Sequence, residues 1–169
     1  LEDFVHMPLR VTATEAATGA PVTLTRGPLV RAIQASIAVP FLFPSVEFEG
    51  QRLVDGVVSD PLPLAAASDA DVVVSLGFRG AMPRRVDRAS RLVAQTSTAL
   101  INNLYDARFE AARARGQQII DLKLDLPPRI GLWDTAALPR ACQAGGRAAM
   151  AALPAIERAM RAPVQRAVA

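Results

Sequence analysis

The chain has few of the residues that build disulfides, metal sites or nucleic-acid surfaces. Its 169 residues include one cysteine, one histidine and only 5% aromatics. Cys142 has no second cysteine with which to form an intrachain disulfide. No group of His, Cys, Asp and Glu has the spacing of a known metal motif, so we expect no metal and no cofactor.

Two further absences limit the function classes. The basic residues are 18 arginines and one lysine, but they are interspersed with acidic residues and the net charge is only +3. Nucleic-acid binding is therefore the least favoured class, and we expect no nucleic-acid partner. No apolar run approaches the roughly 18 residues that a membrane-spanning helix needs, and no signal sequence opens the chain. A cytoplasmic, soluble protein is the expectation.

The sequence that is present is typical of a globular α/β protein. It is 51% hydrophobic and 21% charged. It opens with LEDFVHMPLR instead of an initiator methionine, which favours a fragment, a processed half or an excised piece of a longer protein.

Strand-like and helix-like segments alternate along the chain. Periodicity and turn residues predict strands at 4–13, 22–25, on both sides of Glu49-Gly50, at 71–78 and at 117–126, and helices at 29–37, 63–68, 87–115 and 136–160. Gly145-Gly146 and Pro154 are candidate breaks in the last helix. The continuous apolar run DVVVSLGF predicts a strand that is covered on both faces. This order predicts layers of helices around a mostly parallel sheet.

One acidic residue stands out in the segment RLVDGVVSDPLPL. Asp55 ends a predicted apolar strand, and in α/β sheets the carboxyl ends of strands carry catalytic and ligand-binding groups. Gly56 follows it and can adopt backbone angles that a Cβ would forbid. Spacing alone leaves two interpretations open, because an Asp-Gly pair also commonly caps a turn through backbone hydrogen bonds.

The longer segment RAIQASIAVPFLFPSVEFEGQRLVDGVVSDPLPL, residues 31–64, resembles the C-terminal half of the patatin-like phospholipase family. PLRVTATEAATGAP upstream and ADVVVSLGF downstream follow in the family's order, and the resemblance weakens after residue 115. It implies a three-layer α/β/α fold with a mostly parallel central sheet. Residues 1–169 would be the C-terminal part of a single patatin-like domain.

The resemblance also implies a chemistry. Members of this family hydrolyse lipid esters with a Ser-Asp dyad, and only Asp55, supported by Gly56, falls on a catalytic position. The family's Gly-x-Ser-x-Gly nucleophile motif does not occur between Leu1 and Ala169. We therefore expect the nucleophile on an upstream segment or chain, and we expect the isolated chain to be inactive. Val57 departs from the family's Gly or Ala after Asp-Gly, which puts the fit of this loop in question.

Other residues were weighed for catalysis. Ser36 lies inside a predicted helix, where a small residue serves close packing, and Ser59 is too near Asp55 along the chain to be its nucleophile. His6, the one histidine, is more typical of a structural residue in a strand.

The segment PFLFP is the second candidate for function. By resemblance, Phe41, Leu42 and Phe43 border the acyl chain of a lipid or ester substrate, although plain core packing is an equal alternative. Arg84, Arg85, Arg88 and Arg91 would allow a peripheral membrane contact with anionic headgroups, while a solvated helix face is the simpler interpretation. The competing function is a non-catalytic, lipid-binding patatin-like protein.

Overall fold

A computed structural model of the chain describes residues 1–4, 6–80, 88–124 and 135–161. These residues form two compact units. The first unit contains Leu1–Ala67 together with Asn103–Phe109, and the second contains the described parts of Ser68–Asn102 and Glu110–Ala169. The fold is mixed α/β, as predicted.

A four-stranded sheet organises the first unit. Its strands are β1 (Val11–Glu15), β2 (Pro21–Leu24), β3 (Val46–Phe48) and β4 (Gln51–Asp55), in the spatial order β2-β1-β4-β3. Every neighbouring pair is antiparallel, which corrects the prediction of a mostly parallel sheet for this part of the chain. Short turns join β1 to β2 and β3 to β4, and they dictate antiparallel pairing within these two hairpins because a parallel pair needs a long crossover. The β1–β4 pair joins one strand from each hairpin and is antiparallel as well.

The β3–β4 turn shows how the sequence dictates this pairing. Glu49 and Gly50 have φ values of 49° and 80°, so both central residues of the turn are left-handed. Two-residue turns of this kind match the twist of antiparallel strands and join them into a hairpin. The turn places Phe48 opposite Gln51 and Val46 opposite Leu53, and it sets the position at which β4 ends.

One short helix covers this sheet. Helix α1 (Leu29–Ser36) follows Pro28, whose φ of −64° suits a helix start. Its own residues Ala32 and Ala35 are fully buried against the sheet, and Leu53 of β4 is fully buried in the same core. The remaining buried apolar residues of this core are Leu1, Ala13, Leu24 and Phe48.

The second unit contains the parallel part of the structure. Strands β5 (Val72–Ser75) and β6 (Gln118–Asp121) pair in parallel, and helices α2 (Ala89–Ala114) and α3 (Leu138–Arg161) supply most of its residues. The prediction that β5 is covered on both faces is wrong, since Val74 is 43% exposed. The buried apolar residues described in this unit are all alanines: Ala112, Ala137, Ala144 and Ala159.

Several element boundaries differ from the prediction. The first strand begins at Val11 instead of Phe4, so His6 lies outside it and is exposed. The short helix predicted at 63–68 is a 3₁₀ turn at Leu64–Ala67. Helix α3 continues through Gly145, Gly146 and Pro154. Arg84, Arg85 and the end of the strand predicted at 117–126 lie outside the described residues.

Within residues 1–4, 6–80, 88–124 and 135–161, no helix is both long enough and apolar enough to cross a bilayer.

Candidate active site around Asp55

Asp55 is the last residue of β4, and its backbone is held from two sides. In the sheet it pairs with Ala13 of β1. Its N–H donates to the carbonyl of Ala38 at 3.0 Å, and its carbonyl accepts from the Thr14 hydroxyl at 2.8 Å. The position of the carboxylate is therefore set by the sheet on one side and by the segment after α1 on the other.

The Asp55 carboxylate combines partial burial with one local hydrogen bond. Its Oδ1 accepts the backbone N–H of Val57 at 2.7 Å. Desolvation raises the pKa of Asp55 above its ordinary value, and the hydrogen bond from Val57 acts in the opposite direction. The turn-capping role that the sequence left open is thus present, and it uses one carboxylate oxygen while Oδ2 can still accept a proton.

Position 56 has no room for a Cβ atom, so it requires glycine. A Cβ at this position would lie 2.8 Å from the backbone carbonyl oxygen of Thr12 and 3.1 Å from its Oγ1. Its φ lies outside the left-handed region, so the sequence-based explanation by unusual backbone angles is wrong. The glycine allows the Asp55 loop to lie directly against β1.

The loop that follows Asp55 is closed by polar contacts. The N–H groups of Ser59 and Asp60 both donate to the carbonyl of Gly56, at 3.2 and 2.9 Å. The hydroxyls of Thr14 and Ser59 are 2.7 Å apart and buried. Arg108 of α2, within the first unit, donates to the Ser59 carbonyl at 2.9 Å and lies 3.4 Å from the Asp60 carboxylate.

None of the serines weighed from the sequence is placed to react with Asp55. Ser59 is only 6% exposed, and its hydroxyl contacts Thr14 instead of the Asp55 carboxylate. Ser36 is the last residue of α1 and is half-buried. The Ser59 carbonyl and hydroxyl serve the closure of the loop.

Sequence reasoning missed one Ser-Asp contact in the second unit. The Ser75 hydroxyl donates to Asp121 Oδ1 at 2.7 Å, and the two residues end the paired strands β5 and β6. The shared position at the carboxyl ends of two predicted strands was a usable signal. Ser75 is only 4% exposed, which leaves no approach for an ester, so the contact satisfies a buried hydroxyl.

The apolar loop lies on the surface. Phe41, Leu42 and Phe43 are 100%, 58% and 49% exposed, so the core-packing alternative does not describe them. Phe41 has a φ of 72°, an uncommon conformation for a bulky residue. The N–H groups of Leu42 and Phe43 both donate to the carbonyl of Val39, which closes a tight turn. Ala38 precedes this turn, and its carbonyl contacts Asp55, so the apolar loop begins beside the acid.

An open cleft of about 520 Å³ lies next to this loop. Ile37, Ala38, Phe43 and Val46 provide its apolar lining, and Arg31, Gln34, Ser45 and Glu47 provide polar atoms. Such a mixed lining can hold an apolar chain and still contact a polar group at one end.

In the part of the chain that the structure describes, no three side chains of His, Cys, Asp or Glu lie close enough to share an ion.

Comparison with known proteins gives two findings. Residues 2–68, which include β1 to β4 and Asp55, match the family model described as patatin-like phospholipase. The chain is also 34% identical over 113 residues to an uncharacterized NTE family protein of Mycobacterium bovis and to proteins of the same description in two strains of Mycobacterium tuberculosis.

These matches cover 64% of this chain and 31% of each mycobacterial protein, so the matched region is about a third of the relatives' length. The family match covers the unit that carries Asp55, and it confirms the resemblance found in the sequence. Over residues 2–68, which include Asp55, the chain is similar to the patatin-like phospholipase family.

Proposed function

We propose that this chain supplies the general base, Asp55, of a serine lipid acyl hydrolase whose nucleophile lies on a segment upstream of Leu1. The reaction is hydrolysis of a carboxylic ester in a lipid, as in a phospholipase or esterase. The observation that carries the proposal is the partly desolvated Asp55 carboxylate at the end of β4, with one oxygen fixed by the Val57 N–H.

The proposed chemistry uses a Ser-Asp dyad. Asp55 Oδ2 accepts the serine proton as the serine oxygen attacks the ester carbonyl, and the proton then passes to the departing alcohol. Water then hydrolyses the acyl-serine: Asp55 accepts a proton from the attacking water and passes it to the serine oxygen as the acid product leaves. A carboxylate with an ordinary pKa is a weak base, so the raised pKa that follows from desolvation suits this role.

The surrounding fold supports the same assignment. Gly56 brings the loop against Thr12, and the contacts of Asp55 to Ala38 and Thr14 fix the backbone of the proposed base. Catalysis by proton transfer depends on this kind of fixed geometry. In this proposal the complete domain has three α/β/α layers, and the four-stranded sheet of the first unit forms only part of that domain.

The apolar loop has a proposed role in substrate binding. Phe41, Leu42 and Phe43 form a wall for the acyl chain beside Asp55, or they enter the surface of the membrane from which the lipid is taken. Their exposure and the adjacent 520 Å³ cleft support this role. A membrane contact of this kind would be peripheral.

A second function competes with hydrolysis. The chain has no Gly-x-Ser-x-Gly motif, and Val57 stands where the family pattern has Gly or Ala. Both observations fit a patatin-like protein that binds lipid without hydrolysing it.

Active-site labelling distinguishes these functions. The full-length gene product is treated with a fluorophosphonate, which labels reactive serines, and the adduct is located by intact-mass and peptide mass spectrometry. The Asp55→Asn variant is treated in parallel, and Asp3→Asn serves as the matched control because Asp3 is exposed and distant from β4 in sequence. Heat-denatured protein controls for nonspecific labelling.

The proposal predicts one adduct on a serine upstream of Leu1, with labelling lost in Asp55→Asn and retained in Asp3→Asn. An adduct on Ser36, Ser59 or Ser75 would contradict the assignment of the nucleophile. Binding of a phospholipid vesicle without any adduct would favour the lipid-binding alternative.

A further inference from the structure

An ion pair with a buried carboxylate lies on the loop that carries Asp55. The Asp60 side chain is 8% exposed, and the Arg108 Nε is 3.4 Å from its Oδ1. The same guanidinium donates through its other end to the Ser59 carbonyl at 2.9 Å. One arginine from α2 thus contacts two consecutive residues at the end of the loop.

A buried carboxylate needs a compensating charge, because desolvation otherwise disfavours its ionised form. Arg108 supplies this charge, and its side chain is only partly exposed. The contact therefore restricts where residues 59 and 60 can lie.

A hydrogen-bond chain connects this ion pair to Asp55. The Thr14 hydroxyl has one proton, and it donates this proton to the Asp55 carbonyl at 2.8 Å, since a carbonyl can only accept. Thr14 must then accept from Ser59, whose hydroxyl lies 2.7 Å away. The polar path runs from Arg108 to the Ser59 backbone, through the Ser59 and Thr14 hydroxyls, to the Asp55 backbone.

We infer that Arg108 and Asp60 are positioning residues, which hold the Asp55 loop so that the carboxylate keeps its place and its partial burial. The inference rests on the proposed function for its catalytic consequence, and its structural part concerns the environment of Asp55 alone. Arg108 acts through position, and its own charge is not used on the reacting atoms.

A positioning role and a charge role of Arg108 predict opposite changes in the pKa of Asp55. If Arg108 holds the loop, Arg108→Gln loosens it, water reaches the carboxylate, and the pKa of Asp55 falls toward its ordinary value. If Arg108 instead acts by its positive charge, its removal disfavours the carboxylate and raises that pKa. The direction of the change therefore separates the two mechanisms.

The test uses the full-length gene product and four variants: Arg108→Gln, Arg108→Lys, the double variant Asp60→Asn with Arg108→Gln, and Arg113→Gln. Arg113 is the matched control, because it lies on the same helix in an exposed i,i+3 pair with Glu110. The double variant removes both charges of the pair, so it remains informative if Arg108→Gln alone fails to fold. The readouts are the pKa of Asp55 by carboxyl carbon NMR and the hydrolysis of a p-nitrophenyl ester.

Positioning predicts a lower Asp55 pKa and a kcat reduced roughly 10- to 100-fold with little change in KM, for Arg108→Gln or for the double variant. Arg108→Lys should recover part of the rate, and Arg113→Gln should match the unmodified protein. A raised Asp55 pKa, or an unchanged kcat in the folded double variant, would overturn the inference. Asp55→Asn is measured alongside: if it too keeps full activity, the proposed base is wrong, whereas its inactivity beside an active double variant contradicts only the positioning role.

Discussion

Two loops begin at the contact between Ala38 and Asp55, and they differ in polarity and in exposure. Residues 55–60 form a polar loop whose hydroxyl, carbonyl and carboxylate groups are paired inside the unit. Residues 39–44 form an apolar loop that presents Phe41, Leu42 and Phe43 to the outside. The first loop fixes one acid in place, and the second exposes apolar surface beside it. A hydrolase of lipid esters needs both, since one part handles a proton and the other meets an acyl chain.

In the polar loop, the close contact between Gly56 and the Thr12 backbone gives the largest expected change in stability. Gly56→Ala would put a Cβ 2.8 Å from the Thr12 carbonyl oxygen, and a backbone atom cannot easily move away. We expect a loss of about 1–3 kcal/mol in the free energy of unfolding, measured by urea denaturation. The matched control is Gly146→Ala, where nothing lies within 4 Å and the residue is inside α3. This control should be stabilised by about 0.5–1 kcal/mol, and equal effects of the two substitutions would contradict the space argument.

The hydroxyl contacts of the same loop should have the next largest effect. Thr14→Val removes the acceptor of the Ser59 hydroxyl and the donor to the Asp55 carbonyl in a site that is 1% exposed. The expected loss is about 1–2 kcal/mol in the free energy of unfolding, because both remaining groups are left without their partners. Thr23→Val, on an exposed position of β2, should change it by less than about 0.5 kcal/mol. A Thr14→Val protein as stable as the control would argue against the hydrogen-bond path.

The Asp55 carboxylate should itself weaken the fold at neutral pH. Its pKa is raised by desolvation in the folded state, so the protonated form is the more stable one there. Protonation of Asp55 therefore stabilises the folded state: this contribution is complete below the pKa of Asp55 in the unfolded chain, and it is lost as the pH rises through its pKa in the folded protein. Asp55→Asn should therefore be more stable than the unmodified protein at pH 7, and the difference should disappear in acid. Thermal denaturation from pH 3 to 8 checks this, and a less stable variant at pH 7 would contradict it.

In the apolar loop, replacing Phe41 by glycine should stabilise the fold slightly. Phe41 has a φ of 72°, which a residue with a Cβ adopts at a cost of about 1–2 kcal/mol. Phe41→Gly removes this strain but adds backbone freedom to the unfolded chain, so a net stabilisation of under about 1 kcal/mol is expected. Leu42→Gly relieves no such strain and should be destabilising. Both variants should slow hydrolysis of a long-chain ester more than a short-chain one, and equal losses on both esters would contradict an acyl-chain contact.

The sequence predicted the strand that ends at Asp55, because the Glu49-Gly50 turn and the apolar alternation before it are local signals. It also predicted α1 and α2 nearly to their ends. It did not predict the antiparallel sheet order, in which β1 lies between β2 and β4, because strand pairing is a long-range property. The alternating strand and helix pattern indicates parallel pairing, although the short turns between β1 and β2 and between β3 and β4 allow only antiparallel pairs.

For the candidate site too, the sequence predicted the local features and not the long-range contacts. Asp55 was identified from its position at a strand end and from the family resemblance, but its contacts with Thr14 and Ala38 join residues that are 41 and 17 positions away. The role of Arg108 depends on a contact with Ser59, which lies 49 positions before it in the sequence. The exposure of Phe41 to Phe43 was equally hidden, because an apolar run between prolines is compatible with a core or with a surface.

The pH dependence of kcat/KM for a short p-nitrophenyl ester, measured on the full-length gene product and its Asp55→Asn variant, tests the central claim most directly. If Asp55 is the general base, the rate rises as the carboxylate ionises, with an apparent pKa above the ordinary aspartate value of 3.8. In Asp55→Asn the rate should fall by a factor of roughly 10² to 10⁴ and lose this ionisation. A folded Asp55→Asn protein with the unmodified rate and the same pH profile would show that another group is the base.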